Sequence, residues 1–445
     1  MNKLGDILVN PFLISAYLSI VIIIFLPDIF SKYKATIIDQ GIISKNNGQM
    51  VYEDLDGDEE SEQIILRKNT LNNAAVKISD NNDNIIGQWN FSGNQEFRST
   101  KLTFGDYDQD GFQEIAIFTI VEDSVFLNII EPFDTNGTNI IKKFITTVRE
   151  VKGKIDFQII NYKFFDLDND GYKEIIFGVF GGYSLQPRQL YAFNIRQNEF
   201  IKTPVAGYIL YGQNLNVVDI DNDGFVEIIN NCNAFDNIPD TMKIPFKDNS
   251  SWLVVFDHNL NFKFPPVEFP GYKSTLDALP ILINSEYFIL VLFRYNGVEN
   301  YSSKLCLYSN KGKLVKERKL TEDEQKNRKS IFAINNKNGT EILLKDVKGN
   351  FDIINEDLTI KKKISINKLY MNRFSSVDFD LDLDGNDELL FWDYDLGQLL
   401  IMRNDFKDIV TMNFPVENLK FHSVSLKTNP GQNPLLYLQL NKRWY

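Results

Sequence analysis

The chain contains few of the residues that most catalytic and metal-binding sites use. Only two cysteines and two histidines occur in 445 residues, which excludes a disulfide-built scaffold, a zinc-finger array and most histidine-based catalysis. The sequence also lacks a GxSxG nucleophile elbow, an HExxH zinc motif, a glycine-rich phosphate loop and a CxxC pair. Any bound metal is therefore expected to have oxygen ligands.

Acidic residues outnumber basic residues in this chain. Lys and Arg total 47 against 60 Asp and Glu, for a net charge of -13, and this balance argues against a nucleic-acid partner. Hydrophobic residues make up 43% of the chain, which is typical of a protein with a buried core. We expect Cys232 and Cys306 to be buried thiols, with a disulfide as the alternative, and His258 and His422 to be surface or packing residues.

One long apolar run lies near the N-terminus. Residues 7–27 carry no charge, and a helix of this length would be about 31 Å long, enough to cross a hydrocarbon core. We predict that residues 1–34 form a membrane anchor, with a cleaved signal peptide or a buried helix as the alternatives. Lys3 lies on one side of the run and Lys32 and Lys34 on the other, so charge does not fix the orientation.

From residue 50 onward one acidic pattern recurs, D-x-D-x-D-G-x-x-E-I/L. Three aspartates, a glycine for the sharp turn and a closing glutamate are what a calcium ion needs, since calcium accepts six to eight oxygens in loose geometry. A single copy could be an ordinary turn, but without its 20 carboxylates the chain would hold 40 acids against 47 bases. Up to five structural Ca²⁺ ions are therefore predicted. The ligands would be Asp54, Asp56, Asp58 and Glu62; Asp106, Asp108, Asp110 and Glu114; Asp166, Asp168, Asp170 and Glu174; Asp219, Asp221, Asp223 and Glu227; and Asp380, Asp382, Asp384 and Glu388.

Strand-like runs flank every copy, so the repeating unit has about four strands. The copies start at residues 54, 106, 166, 219 and 380, and the last gap spans three periods. Two copies without acids are therefore expected near Asp277 and Asn335, with a weaker echo near Ser425. The pattern predicts an all-β fold over residues 35–445: a seven-bladed, or alternatively eight-bladed, β-propeller of four-stranded antiparallel blades. A parallel solenoid is the rival architecture.

The motif, its spacing and the flanking strands resemble FG-GAP and VCBS repeats, the units of the integrin α-subunit propeller. The resemblance covers roughly residues 45–440, and it implies a propeller with calcium at Asp106, Asp108, Asp110 and Glu114 and at the matching acids of the other copies. The chain departs from the family in three ways. Its ninth-position residue is glutamate where the family usually has aspartate, the FG-GAP sequence itself does not occur, and the two middle repeats have no acids.

The connections from second to third strand are expected at the end opposite the acidic loops. They are enlarged at residues 178–188, 231–250 and 294–303, and long loops on one end of a scaffold often carry recognition. The partner-binding candidates are Tyr183, Arg188, Phe235, Arg294 and Tyr295. Variable loops without a function are the alternative.

Together these features predict a membrane-anchored propeller outside the cytoplasm, periplasmic or on the cell surface, that binds a protein or glycan as a sensory or adhesion module. The chain ends at KRWY within a strand pattern, which suggests the sensor part of a longer protein such as a sensor kinase. The alternative is a propeller hydrolase or lyase acting on polysaccharide, with paired carboxylates.

Overall fold

A computed structural model of the chain describes residues 48–442. It leaves out the internal segments 94–101, 134–139, 149, 152–153, 156, 182–187, 206–214, 237, 239–242, 298–300, 327–329, 337–338, 347–349, 366–373, 382–387, 394–397, 404–408 and 415–418. The predicted membrane segment at residues 7–27 lies outside the described residues. Among the helices that are described, none is long and apolar enough to cross a bilayer.

Seven sheets of four antiparallel strands follow one another along the described chain, and in each the strands pair in sequence order. Blade 1 consists of β1 (Gln49–Glu53), β2 (Glu62–Lys68), β3 (Ala74–Ser79) and β4 (Ile85–Asn90). Blade 2 consists of β5 (Thr103–Gly105), β6 (Glu114–Val121), β7 (Ser124–Ile130) and β8 (Ile140–Thr147), and is followed by the small hairpin β9 (Glu150–Val151) and β10 (Lys154–Ile155). Blade 3 consists of β11 (Phe157–Phe165), β12 (Glu174–Gly181), β13 (Arg188–Asn194) and β14 (Glu199–Lys202).

The later blades have the same order. Blade 4 consists of β15 (Asn216–Val218), β16 (Glu227–Cys232), β17 (Ser251–Phe256) and β18 (Val267–Phe269). Blade 5 consists of β19 (Ser274–Ile283), β20 (Glu286–Tyr295), β21 (Lys304–Ser309) and β22 (Leu314–Lys319), and is followed by the short helix α1 (Glu322–Lys326). Blade 6 consists of β23 (Ser330–Asn336), β24 (Gly339–Lys345), β25 (Asn350–Ile354) and β26 (Ile360–Ser365). Blade 7 consists of β27 (Phe374–Phe379), β28 (Glu388–Asp393), β29 (Gln398–Met402) and β30 (Ile409–Asn413), and a final hairpin contains β31 (Leu419–Lys427) and β32 (Leu435–Lys442).

This architecture is the predicted all-β propeller with seven four-stranded blades. The two repeats without acids, expected near Asp277 and Asn335, are blades 5 and 6. The solenoid alternative is wrong, because the strand pairs within the blades are antiparallel.

The core lies between the blades, where the flat faces of neighbouring sheets meet. The second strand of blade 3 is buried along its whole length, as expected for a strand covered on both faces. Phe118 of blade 2 and Phe177 of blade 3 are both fully buried, and their ring centroids lie 5.1 Å apart. Removing such a side chain from water contributes about 1.5–3 kcal/mol, so the aromatic contacts between sheets stabilise the ring.

The final hairpin closes the ring against blade 1. The Gln439 side chain accepts a hydrogen bond from the Met50 amide and donates one to the Gly48 carbonyl, both at 2.9 Å. The Ser425 hydroxyl accepts a bond from the Tyr52 amide at 3.0 Å. The echo near Ser425 therefore forms its own two-stranded sheet between blades 7 and 1.

Cys232 and Cys306 are free, buried thiols, so the alternative of a disulfide is wrong. His258 stacks on Phe225 with 4.4 Å between ring centroids, which agrees with a packing role. The side chain of His422 lies outside the described residues.

The closure predicts a stability effect at Gln439. Replacing Gln439 with leucine should lower the free energy of unfolding by about 1–3 kcal/mol, because it leaves an amide and a carbonyl without partners. Urea denaturation measures this change. Gln432→Leu, at an exposed turn position of the same hairpin, is the matched control and should change stability little. Equal effects at the two positions would contradict the closure.

Candidate cation-binding loops

Four acidic loops connect the first and second strands of blades 1 to 4, as the sequence predicts. Acid loops 1, 2, 3 and 4 are residues 54–62, 106–114, 166–174 and 219–227. In every loop, positions 1, 3 and 5 are aspartates and position 9 is the glutamate that begins the second strand. The loop therefore turns the chain directly into a core strand, and its carboxylates are fixed by the sheet.

The same backbone hydrogen bonds fold all four loops. The amide of position 6 donates to the first aspartate at 2.9–3.3 Å, and the amide of position 7 donates to the third aspartate at 2.7–2.9 Å. The first and third aspartates thereby hold the turn. In loops 1, 2 and 4 the other oxygen of the first aspartate accepts a second backbone amide, from Gly57, Gln109 and Asp223 respectively, at 2.6–3.2 Å.

Two positions of each loop adopt the left-handed conformation that favours glycine and asparagine. They are position 4 and position 6. In loops 2, 3 and 4 these are Gln109 and Gly111, Asn169 and Gly171, and Asn222 and Gly224. Loop 1 exchanges the order, with Gly57 at φ 76° and Glu59 at φ 70°. Loop 1 therefore keeps the fold of the others although its glycine is displaced by two residues.

The ninth-position glutamate has a second role that the motif does not reveal. Its Oε2 accepts a hydrogen bond from the amide of position 2: Leu55, Tyr107, Leu167 and Ile220 donate at 2.8–3.0 Å. The glutamates themselves are 0–5% exposed. One oxygen of this carboxylate thus ties the loop to the strand, and in loops 3 and 4 the other, Oε1, accepts a hydrogen bond from a side chain.

The carboxylates of each loop lie close enough to share one ion. In loops 1 and 2 the three aspartates, and in loops 3 and 4 the first two aspartates with the glutamate, each offer an oxygen within 4.8 Å of the others. The Oδ1 atoms of Asp166 and Asp221 are buried without a hydrogen-bond partner in the protein. A buried carboxylate oxygen without a partner is costly unless a cation or proton faces it. The all-oxygen donor set therefore fits calcium.

The pKa values of the closing glutamates show the same unbalanced charge. Burial, with a smaller contribution from the charges of the loop aspartates, raises the pKa of Glu62 to about 7, of Glu114 to about 8 and of Glu174 to about 7. The hydrogen bond from position 2 opposes the shift but does not cancel it. Without a cation, these carboxyls hold protons near neutral pH.

Neighbouring loops are joined by backbone hydrogen bonds. The amide at position 8 of loop 2, Gln113, donates to the position-2 carbonyl of Leu55 at 2.7 Å, and Lys173 of loop 3 donates to Tyr107 at 2.8 Å. Ser61, at position 8 of loop 1, donates to Thr428 of the closing hairpin at 3.2 Å. Backbone hydrogen bonds therefore connect the closing hairpin to loop 1, loop 1 to loop 2 and loop 2 to loop 3.

The fifth predicted loop, residues 380–388 of blade 7, is described in part. Asp380 and Glu388 flank it, and the Leu381 amide donates to Glu388 at 2.9 Å, as in the other loops. Asp382 and Asp384 lie outside the described residues, so calcium binding by this loop stays a prediction.

The turn after the third strand brings a different residue to each of loops 2, 3 and 4. In blade 2, Glu131 accepts a hydrogen bond from the Tyr107 hydroxyl at 3.0 Å. Its carboxylate lines a cleft of about 240 Å³ beside loop 2, together with Phe112 and Phe133. In blade 3, Asn194 donates to Glu174 Oε1 at 2.8 Å. In blade 4, Lys263 donates to Glu227 Oε1 at 2.7 Å.

The predicted partner-binding residues do not form one exposed surface. Arg188 is fully buried and lies 3.6 Å from the carboxylate of buried Asp248, because it begins an inner strand of blade 3. Tyr295 is also buried. The expectation that these two residues contact a partner at the surface is therefore wrong.

Two of the other three candidates are described. Phe235 is 47% exposed. Arg294 is partly exposed and forms an ion pair with Asp277 at 2.9 Å. Tyr183 lies outside the described residues. Phe235 is thus the candidate that the structure places most clearly at the surface.

Comparisons with known proteins find only distant structural similarities. No family model matches the chain and no curated protein is significantly similar to it. Among solved structures, the V. cholerae biofilm matrix protein Bap1 is 13% identical with a TM-score of 0.38, covering 87% of this chain and 73% of that one. BamB from Moraxella catarrhalis is 12% identical with a TM-score of 0.39, covering 80% of each chain. An Agrocybe aegerita lectin that recognises non-reducing terminal N-acetylglucosamine is 11% identical with a TM-score of 0.43, covering 87% and 94%.

These similarities carry no argument about function at such identities and TM-scores. The propeller architecture follows from the strand pairing within the chain. The narrower resemblance to FG-GAP and VCBS repeats stays a prediction.

The raised glutamate pKa values predict how the metal-free protein responds to pH. An ordinary glutamate pKa is 4.5, and those of Glu62, Glu114 and Glu174 lie at about 7 to 8 in the folded chain. Between these values the folded state binds more protons than the unfolded state, so stability decreases as pH rises. In chelator, urea denaturation should give a lower free energy of unfolding at pH 8 than at pH 6. Glu114→Gln should reduce this dependence, and metal-free stability that rises from pH 6 to 8 would contradict it.

Proposed function

We propose that the chain is a non-catalytic binding module, a propeller whose acid loops hold structural calcium and whose other end presents a recognition surface to a protein or glycan. The observation that carries this proposal is the recurrence of one acid-loop geometry in four consecutive blades. In loop 3 it includes a buried carboxylate oxygen, Asp166 Oδ1, that has no partner in the protein. We further propose that the domain works outside the cytoplasm, anchored through residues 7–27.

Calcium suits these loops better than magnesium. The carboxylates come from a turn and a strand end and do not form a regular octahedron-building set, which suits the longer, irregular coordination of calcium, whereas magnesium demands an octahedron and retains waters. Calcium near millimolar outside the cytoplasm would occupy even weak sites of this type. Because the loops are linked between blades, bound calcium would stiffen the ring as well as each turn.

The arrangement of acids supports binding rather than hydrolysis. A glycosidase needs two carboxylates facing each other across a substrate cleft. The cleft beside loop 2 contains Asp108, Asp110 and Glu114, which belong to one cation-binding set, and Glu131, which is engaged with a tyrosine hydroxyl. Asp108 and Asp110 each offer an oxygen within 4.8 Å of the other and of Asp106, which suits a shared ion.

The recognition surface is proposed on the enlarged connections between second and third strands. Phe235 lies just after the buried strand β16 of blade 4. Its ring is exposed although the preceding residue, Ala234, is buried. The Ala234 amide and carbonyl bond to residues 274 and 273 of the next blade at 3.0 Å. An exposed aromatic ring on a fixed backbone can bind a partner with little loss of entropy.

Calcium binding should be visible in stability. Chelation should lower the melting temperature, because a ligand that binds only the folded state adds about 2.7 kcal/mol per site at one hundred times its Kd. Asp168→Asn should remove one calcium and part of the difference between calcium and chelator. Differential scanning fluorimetry and metal analysis measure both quantities. An identical melting curve with and without chelator would refute structural calcium.

The recognition surface predicts a separate class of variant. Phe235→Ala should weaken partner binding by about 1–3 kcal/mol while leaving calcium content unchanged. A glycan array and capture of surface proteins supply the partner, and titration then gives the Kd. Phe144→Ala, at another exposed phenylalanine on the outer strand of blade 2, is the matched control. Normal binding by the Phe235 variant, with loss of binding in a stable acid-loop variant, would place recognition at the opposite end.

A further inference from the structure

Acid loop 4 differs from the other described loops because a protein cation lies among its carboxylates. The Lys263 ammonium is 2.8 Å from Asp221 Oδ2, 2.7 Å from Glu227 Oε1 and 3.5 Å from Asp223 Oδ2. These are three of the four acids that the motif assigns to calcium. Glu227 Oε2 is used by the position-2 amide, so Lys263 takes the oxygen that would otherwise face an ion.

Lys263 is held in this place by its own backbone. The turn after β17 is closed by Asp257, whose side chain accepts bonds from the amides of residues 259 and 261 at 3.0 and 2.8 Å. Leu260 anchors the turn in the core, and the Lys263 amide donates to the Val255 carbonyl at 2.8 Å. The side chain thus starts from a fixed point beside the loop, and it is 21% exposed.

In blade 3 the acid loop faces an amide in place of a lysine. There Asn194 donates to the equivalent glutamate oxygen, which leaves the charge of the carboxylates unbalanced. Arg196, the nearest cation in that turn, is 59% exposed and 3.9 Å from Asp170. In blade 2 the turn supplies a further acid, Glu131. The turn after the third strand therefore changes the charge of the site from one blade to the next.

The geometry of loop 4 fits an ammonium. Lys263 Nζ lies within hydrogen-bond distance of both Asp221 Oδ2 and Glu227 Oε1, so two carboxylates face its charge. An ammonium has no lone pair to offer a metal, and a divalent ion at hydrogen-bond distance from it would be strongly repelled. Lys263 and calcium therefore exclude each other.

We propose that Lys263 is the resident cation of acid loop 4, so that this loop binds no calcium in the native chain while loops 1 to 3 do. The inference rests on the proposed function for loops 1 to 3. It replaces the expectation, drawn from the motif alone, that all copies bind calcium alike. Because Asp221 Oδ1 has no partner even beside the lysine, the donor set is complete and removing the ammonium should create a calcium site.

The test counts calcium per chain by native mass spectrometry and metal analysis after dialysis against millimolar calcium. Two matched variants occupy the same motif position in neighbouring blades. Asp168→Asn in loop 3 should lose one calcium, whereas Asp221→Asn in loop 4 should lose none. Loss of one calcium from both variants would show that calcium displaces Lys263, which overturns this inference and leaves the proposed function standing.

A gain-of-site variant gives an independent measurement. Lys263→Met should bind one calcium more than the wild type, and calcium should raise its melting temperature by more than it raises that of the wild type. Lys311→Met, in the corresponding turn of blade 5, is the control and should leave the calcium count unchanged. An unchanged count in a folded Lys263→Met overturns the inference; if that variant does not fold, the Asp168 and Asp221 pair decides alone. A wild type without any calcium would instead overturn the proposed function itself.

Discussion

The buried glutamate at the end of each acid loop is the residue on which the whole site depends. It must lie at the start of a core strand to be buried, and burial places its charge beside three aspartates. One of its oxygens holds the loop through the position-2 amide. The other faces the remaining carboxylates. This geometry is stable only if a positive partner faces the acids, and a proton, an amide donor, an ammonium or a metal ion can each supply part of that balance.

The same position-2 residue connects the loops to the assembly of blades. Its amide bonds to the glutamate of its own loop, and in loops 1 and 2 its carbonyl accepts the position-8 amide of the following blade. A displacement of the glutamate would therefore move a contact between blades as well as a carboxylate of the loop. Local charge balance and the docking of neighbouring sheets are thus parts of one hydrogen-bonded structure.

The sequence predicts the repeat and the loop well, because both are local. Strand alternation and the spacing of acids follow from short-range geometry, and even loop 1, with Gly57 two residues early, keeps its conformation. Features that depend on tertiary contacts were not predictable in this way. The sequence predicts that Arg188 is an exposed loop residue, yet it begins a strand and is buried beside Asp248, 60 positions further along the chain. Lys263 follows Asp219 by 44 residues and carries no signature of its own, so only the folded turn reveals it.

Blade 5 shows that the fold does not require an acid loop. Its first two strands, Ser274–Ile283 and Glu286–Tyr295, pair along their full length and are joined by Asn284 and Ser285 alone. Both residues have positive φ, 49° and 66°, as in the two-residue turns that match the twist of antiparallel strands. A tight turn satisfies its backbone without gathering carboxylates, and so it needs no cation. The acid loop and the tight turn are therefore two solutions to one connection, and they differ in that the acid loop gathers carboxylates whose charge has to be balanced.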